Sequence, residues 1–325
     1  MQLSMSGGEL LFYTKLIREL SQPLEPLPVQ LPAEWETVAA KNTTVLDGIH
    51  AVLFDIYGTL FISAAGEISA AGEISAGAAT VDKTDDPLCA FVSLREEFED
   101  IYSEMSEYFR VAVKQRHEKA HAEGIAWPEV KVDEIWAAYR GKLPPCWEQL
   151  NNFRKKLEKI GPRAQARSAG RELALRYELA VNPVFPMPHA EAALRSLAAR
   201  GIKLGIISNA QFYTPLLFSA FFNASPIELG FDPGLLIYSF EEGEAKPSPR
   251  LFAKAREKLA QYNIKPKETL YIGNDMKNDI ASAAASGFAT ALFAGDGRSL
   301  RLREDDPACA GKKPDFILND LQEIV

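Results

Sequence analysis

Four short apolar runs in this chain each deliver a polar side chain. "AVLF" runs into Asp55, "KLGIIS" ends at Ser208 and Asn209, "LLIYSF" leads through a loop to Lys246, and "ETLYIGND" delivers Asp275. Helical patterns such as "HAEAALRSLAARG" and "PRLFAKAREKLAQY" lie between them. Continuously apolar strands are buried on both faces, and their alternation with helices predicts a parallel sheet with helices on each side. Ligands in such sheets collect at the carboxyl ends of the strands, where the strand order reverses. The pattern therefore predicts a doubly wound α/β body with Asp55, Ser208, Lys246 and Asp275 on one rim.

The body is discontinuous. Residues 49–80 and 185–325 carry the strand–helix pattern, whereas 81–184 read as an all-helical insertion with apolar residues every three to four positions. Residues 1–48 form an N-terminal extension, expected to pack as an arm on the body. They hold a helical segment, "GELLFYTKLIREL", and a proline-rich stretch. "ISAAGE" occurs twice in tandem after the first strand. That repeat is too short for a solenoid, and its glycines predict a hairpin or flap. A chain of 325 residues, 47% hydrophobic, has ample material for two domains.

Charge and cysteine content exclude several function classes. A net charge of −8 argues against a nucleic-acid grip or a polybasic membrane anchor. It leaves room for a small anionic substrate, because a local cation inverts the sign inside one pocket. Cys89, Cys146 and Cys309 are odd in number and widely spaced, so neither a disulfide framework nor a thiolate zinc site is expected. Free thiols fit a reducing cytoplasm. No signal peptide is expected from the N-terminal residues, and no apolar run approaches the ~20 residues of a membrane span. The sequons at Asn42 and Asn223 then read as chance matches. The oligomeric state is open.

The rim residues define a chemistry. A carboxylate such as Asp55 can act as a covalent nucleophile. Ser208 can donate to a bound oxyanion, and Lys246 places a fixed positive charge beside it. Asp275 and Asp279 add two carboxylates, and three carboxylates together call for a hard divalent cation, Mg²⁺ first among them.

"FDIYGTL", "IISN", "EAKPSPRLF" and "YIGNDMKNDI" occur in the order and spacing of the four motifs of the haloacid dehalogenase superfamily. The resemblance covers about 150 residues of body, and the helical insertion resembles the cap that one branch places between its first and second motifs. It implies a Rossmann-like core and a hydrolase working through an aspartyl intermediate. It also implies roles. Asp55 is the nucleophile, Thr59 and Ser208 hold the transferred group with Gly58 and Asn209 beside it, and Lys246 neutralises that group. Asp55, the backbone carbonyl of Tyr57, Asp275 and Asp279 bind magnesium.

Two departures keep alternatives open. Phosphatases that resemble this chain usually carry a second Asp where Tyr57 stands. A phenol of pKa about 10 can donate a proton or shape the pocket, which is the catalytic role expected of Tyr57, but it is a poor base near neutrality. "DxYGTL" resembles the metal-independent 2-haloacid dehalogenases, whose halide leaving group needs no proton. "GNDMKND" resembles the magnesium-dependent members instead, although a second register would put Asn274 in the ligand position. The leading expectation is a magnesium-dependent phosphohydrolase acting on a small phosphorylated metabolite, with a base supplied by the cap or a substrate with a good leaving group. The alternatives are a haloacid-type hydrolase and a weakly active binding protein.

Two further features read as structural. "HEKAH" (117–121) fits a zinc-protease pattern with Glu118 as base, but the helix is highly charged and no third ligand follows at a familiar spacing, so it reads as a solvated face. Arg298, Arg301 and Arg303 read as a solvated loop, with contact to an anionic substrate as the competing reading.

Overall fold

The computed structural model describes residues 5–33, 35, 46–64, 99–143 and 164–325. The ISAAGE repeat beyond residue 64, Cys89 and Cys146 lie outside the described residues.

The described strands are β1 (Ala51–Phe54), β2 (Phe61–Ser63), β3 (Val184–Pro186), β4 (Lys203–Ser208), β5 (Phe231–Tyr238), β6 (Thr269–Gly273), β7 (Ala289–Phe293) and β8 (Phe316–Leu318). Six of them form one parallel sheet in the order β5-β4-β1-β6-β7-β8. β1 lies between β4 and β6, so the strand order reverses at its carboxyl end, which is where Asp55 stands.

Both faces of β1 are buried, which is why its sequence carries no alternation. Val52 and Phe54 pack with Leu204, Ile206, Leu270 and Ile272 on one face. Ala51 and Leu53 pack with Ile207, Leu235, Ile237 and Tyr271 on the other. Burying each large side chain contributes roughly 1.5–3 kcal/mol, so these layers dominate the stability of the body.

The described helices are α1 (Gly7–Leu20), α2 (Glu99–Ala122), α3 (Val132–Ala137), α4 (Ala164–Val181), α5 (Ala190–Ala199), α6 (Thr214–Phe222), α7 (Ser239–Glu242), α8 (Pro249–Gln261) and α9 (Ser282–Ala285). α8 starts where its sequence directs: Ser248 accepts from the Arg250 N–H at 3.2 Å and Pro249 occupies the first turn. The segment after β6 opens with a π-helical turn, Met276–Ala281.

α2, α3 and α4 fall between β2 and β3, which pair antiparallel and carry the chain out of the body and back. Ser63 Oγ donates to Asn182 Oδ1 at 2.9 Å across that ribbon. The inserted helices share an aromatic core: Trp136 stacks on Phe109 (5.5 Å between centroids) and meets Tyr177 at 4.6 Å.

The N-terminal segment ties the parts together. Ser6 and Glu9 form a capping box on α1. Arg18 donates to the Ser219 carbonyl (2.8 Å) and to Asn223 Oδ1 (2.6 Å) at the end of α6. Glu9 lies 3.9 Å from the buried Arg171 of α4, which also faces Asp133 of α3 at 3.5 Å. Farther along, the Leu27 N–H donates to Asp296 Oδ1 at 2.8 Å, beyond β7.

β4 tolerates no side chain at Gly205, because a Cβ there would lie 2.4 Å from Leu53 Cδ2 and 2.8 Å from Leu235 Cβ. Gly205→Ala is expected to destabilise the protein by about 1–3 kcal/mol through overpacking. A urea titration reads this as a lower midpoint with unchanged slope.

Candidate active site

Asp55 ends β1 and is 8% exposed, so its carboxylate stays reachable at the rim. Lys246, 5% exposed, follows the short α7 and precedes Pro247 across a cis peptide bond. Lys246 Nζ lies 2.8 Å from Asp55 Oδ1 and 2.5 Å from Asp279 Oδ1. It also donates to the Tyr271 hydroxyl at 3.1 Å. Burial alone would lower the Lys246 pKa, but Asp279 and Asp55 outweigh it and raise it, so the ammonium stays charged.

Local structure explains how Asp279 gets there. The π-helical turn brings its carboxylate back over the end of β6, where Oδ2 accepts the Asp275 N–H at 3.0 Å. π-turns of this kind recur at functional sites. Gly273 makes room, since a Cβ there would sit 2.4 Å from Asp279 Cγ. Burial pushes the Asp279 pKa up, while Lys246 draws it down.

The loop after β1 is built as closely. Gly58 has φ of +79°, and a Cβ there would meet Asn274 Nδ2 at 2.6 Å. Thr59 is fully buried and donates to Asn274 Oδ1 at 3.3 Å. Asn274 Nδ2 in turn donates to the Ser299 carbonyl at 2.6 Å. Asn209 brackets the Lys246 backbone: its Oδ1 accepts the Lys246 N–H at 2.6 Å and its Nδ2 donates to the Lys246 carbonyl at 3.3 Å. Ser208 is buried at the end of β4 and donates to the Asn209 carbonyl at 3.3 Å.

Tyr57 is buried, within electrostatic reach of Glu178 on the insertion. Its hydroxyl is 2.9 Å from Thr214 Oγ1. Burial pushes its pKa well above the usual phenol value, and the nearby Glu178 and Asp55 add to this. The group remains a neutral phenol at physiological pH. Burial likewise raises Glu129 and Glu178, two carboxyls of the insertion, to about 7.

The structure thus brings Asp55, Lys246 and Asp279 into direct contact, and sets Gly58 and Thr59 against Asn274. Asp275 is placed differently. Its Oδ1 accepts the N–H groups of Lys277 (2.7 Å) and Asn278 (3.0 Å), capping the turn that follows. Its Oδ2 takes a two-pronged contact from Arg303, at 3.0 Å and 2.6 Å. Arg303 adopts a left-handed backbone (φ 55°) to reach it. This corrects the reading of residues 298–303 as a solvated loop: Arg301 pairs its backbone with Asn274 and Met276, and Arg303 holds Asp275.

These positions bear on the magnesium expected from sequence. Mg²⁺ asks for hard oxygen ligands gathered around one octahedral point. Asp55 and Asp279 converge on Lys246 instead, Asp275 is held by Arg303, and the residue beside Thr59 is a neutral amide, Asn274. Among the described residues no group of three or more His, Cys, Asp or Glu is gathered at one point. The residues expected to bind the ion are thus divided between two charge partners, with Asp55 and Asp279 at Lys246 and Asp275 at Arg303.

Several site residues escaped the sequence reading. Tyr271, whose hydroxyl donates to the Ile207 carbonyl (2.8 Å) and meets Asp279 Oδ1 (3.1 Å), had one signal: a phenol in the middle of a buried strand. Glu129, Glu178, Gln211, Thr214 and Ser239 had none, because nothing local marks which polar residues face the rim.

The haloacid dehalogenase-like hydrolase family matches residues 49–287, and the chain belongs to that family. Its relatives include phosphatases. A glyceraldehyde 3-phosphate phosphatase of Methanocaldococcus jannaschii is 31% identical over 142 residues, 43% of this chain and 55% of the relative. A ribulose-1,5-bisphosphate 5-phosphatase of Halopiger xanaduensis is 27% identical over 140 residues, 42% of this chain and 54% of the relative. The chain therefore spans about half the length of these two relatives. Among solved structures, a HAD phosphatase from Thermococcus onnurineus is 16% identical, with 85% of this chain and 96% of that one covered at a TM-score of 0.42.

Removing the Lys246 charge tests the pairing. Lys246→Met leaves two buried carboxylates facing each other, a change expected to cost about 3–5 kcal/mol of stability at neutral pH. Their folded pKa values then rise above the unfolded ones, so the variant's stability is greatest at low pH and falls as pH rises. Urea unfolding at pH 5 and pH 8 is expected to show a larger deficit against wild type at pH 8; an equal deficit at both would contradict the pairing.

Proposed function

We propose that this chain is a phosphohydrolase that passes a phosphoryl group through Asp55, acting on a small soluble phosphorylated metabolite. The observation that carries this reading is the Asp55 carboxylate, reachable at the strand end and held 2.8 Å from a buried lysine ammonium. The phosphatase relatives supply the choice of group.

In the first step an Asp55 oxygen attacks phosphorus, and the bond to the substrate's leaving oxygen breaks with its electron pair. Lys246 offsets the charge on the transferred group, and Ser208 and Thr59 offer hydroxyl donors. In the second step water attacks the aspartyl phosphate. The Asp55–phosphorus bond breaks, the carboxylate is restored and inorganic phosphate leaves. Asp279, the π-turn and Asn209 keep Lys246 in register with Asp55 throughout. The helical insertion acts as a cap that excludes bulk water from the covalent step.

Tyr57 sets the substrate's character. A neutral phenol tied to Thr214 is no base, so the proposal favours leaving oxygens that depart without strong protonation, as in acyl or aryl phosphates. The cation of the site is Lys246, and no step runs through a magnesium ion. An acidic chain with a buried free thiol at Cys309 suits a reducing cytoplasm.

A second reading is favoured by the same tyrosine and by Asn274. With a neutral amide beside the nucleophile loop and no acid–base partner at residue 57, Asp55 is equally suited to displace halide from a 2-haloacid.

A panel of phosphate esters and 2-haloacids, each assayed with Mg²⁺ and with a chelator, separates these readings. Phosphate release is expected, fastest for the least basic leaving groups, with at least about half the rate surviving the chelator. Halide release would favour the second reading, and complete loss of phosphate release on chelation would overturn the metal-free account. Asp55→Asn is expected to reduce turnover on the order of a thousand-fold or more in a folded sample. Mass spectrometry of quenched wild-type reactions is expected to find the added phosphate on the peptide containing Asp55.

A further inference from the structure

The helical insertion touches the catalytic loops along one seam. Residues 127–129, in the connection between α2 and α3, lie against residues 243–245, which immediately precede Lys246. The Ala245 N–H donates to the Trp127 carbonyl at 2.9 Å, and the Glu129 N–H donates to the Gly243 carbonyl at 3.0 Å. Pro128 and Glu244 pair between them as an antiparallel bridge.

The Glu129 side chain extends this seam to the other catalytic loop. Its Oε2 accepts from Ser239 Oγ at 2.6 Å. Its Oε1 accepts from the Val130 N–H at 2.8 Å and from Gln211 Nε2 at 3.3 Å. Ser239 Oγ accepts the Ala210 N–H at 2.9 Å. Ala210 and Gln211 directly follow Asn209, the residue that brackets the Lys246 backbone. Gln211 also returns to the insertion, donating to the Val130 carbonyl at 2.9 Å and accepting the Val132 N–H at 3.2 Å. One carboxylate of the insertion therefore joins the loop after β4 to the loop that carries Lys246.

A carboxylate suits this place chemically. Its two oxygens offer about four acceptor positions, and three donors already use them. Glutamine has one acceptor oxygen and would set an NH₂ against Ser239. Alanine would leave Ser239 and Gln211 without their shared acceptor, so the two loops would keep their separate contacts to the insertion but lose the group that joins them.

The geometry points to Glu129 as a positioning residue: docking of the insertion, through Glu129, sets Lys246 at its working distance from Asp55. This rests on the reading of Asp55 as the nucleophile. It goes beyond that reading by making the insertion part of the catalytic array and not only its cover.

The experiment combines kinetics with hydrogen exchange on the full chain. Glu129→Ala and Ser239→Ala break the same contact from its two sides, and the serine change is small enough to fold if the glutamate change does not. Each is expected to lower kcat by about 10–100-fold with KM moving less than about threefold, since small misplacements of a catalytic group have effects of that size. The double variant is expected to lie within about twofold of Glu129→Ala, because both changes remove one interaction. Amide exchange is expected to quicken in residues 208–211 and 243–246 and to stay unchanged in β6 and β7. Losses that multiply in the double variant, or unchanged exchange at 243–246, overturn the proposal. If wild-type protein turns over nothing in the panel, the phosphohydrolase reading fails, while the exchange measurement still decides whether Glu129 holds the Lys246 loop.

Discussion

One buried ammonium organises this molecule. Lys246 stands between Asp55 and Asp279 with little exposure to water. A buried charge of this kind persists only when partners and hydrogen bonds replace the water it has lost. Each neighbouring feature serves that requirement. β1 presents Asp55, the π-turn returns Asp279, Gly273 leaves space for it, Tyr271 bonds both the lysine and Asp279, and Asn209 clamps the lysine's own backbone. Moving any one of them exposes or unpairs a charge in a low-dielectric setting.

Around that centre the rim carries its own distribution of charge. Arg303 takes up the carboxylate of Asp275, Asn274 puts a neutral amide beside Thr59, and Tyr57 fills its position with a phenol bound to Thr214. The fold provides a strand-end carboxylate and a cation. The side chains between them decide how much negative charge, and how much proton transfer, the site can support. Family membership leaves the reaction to be argued from those residues.

The helical insertion is fastened to the body at three separated places. The β2–β3 ribbon carries it, the N-terminal segment reaches from Glu9 beside Arg171 to Arg18 at the end of α6, and residues 127–129 pair with the strand-like segment before Lys246. The third of these contacts lies immediately before Lys246 in the chain, so the seam and Lys246 share one short stretch of backbone.

The parallel sheet flanked by helices and the strand-end positions of Asp55 and Ser208 were legible in the amino-acid sequence. Each sits at the end of an apolar run, and burial on both faces of a parallel sheet imposes that run within a handful of adjacent residues. The choice between Asn274 and Asp275 was not legible. It depends on a π-turn one residue wider than a regular helical turn and on Arg303, 28 residues farther along. The contact between insertion and body at Glu129 was equally hidden, since Glu129 and Gln211 meet across 82 residues of chain. Local sequence determined which backbone segments form the rim, because hydrophobic burial acts residue by residue along a strand. Only tertiary structure decided which polar groups neutralise one another there, because hydrogen bonds and ion pairs depend on ångström-scale distances between segments the chain itself does not keep close.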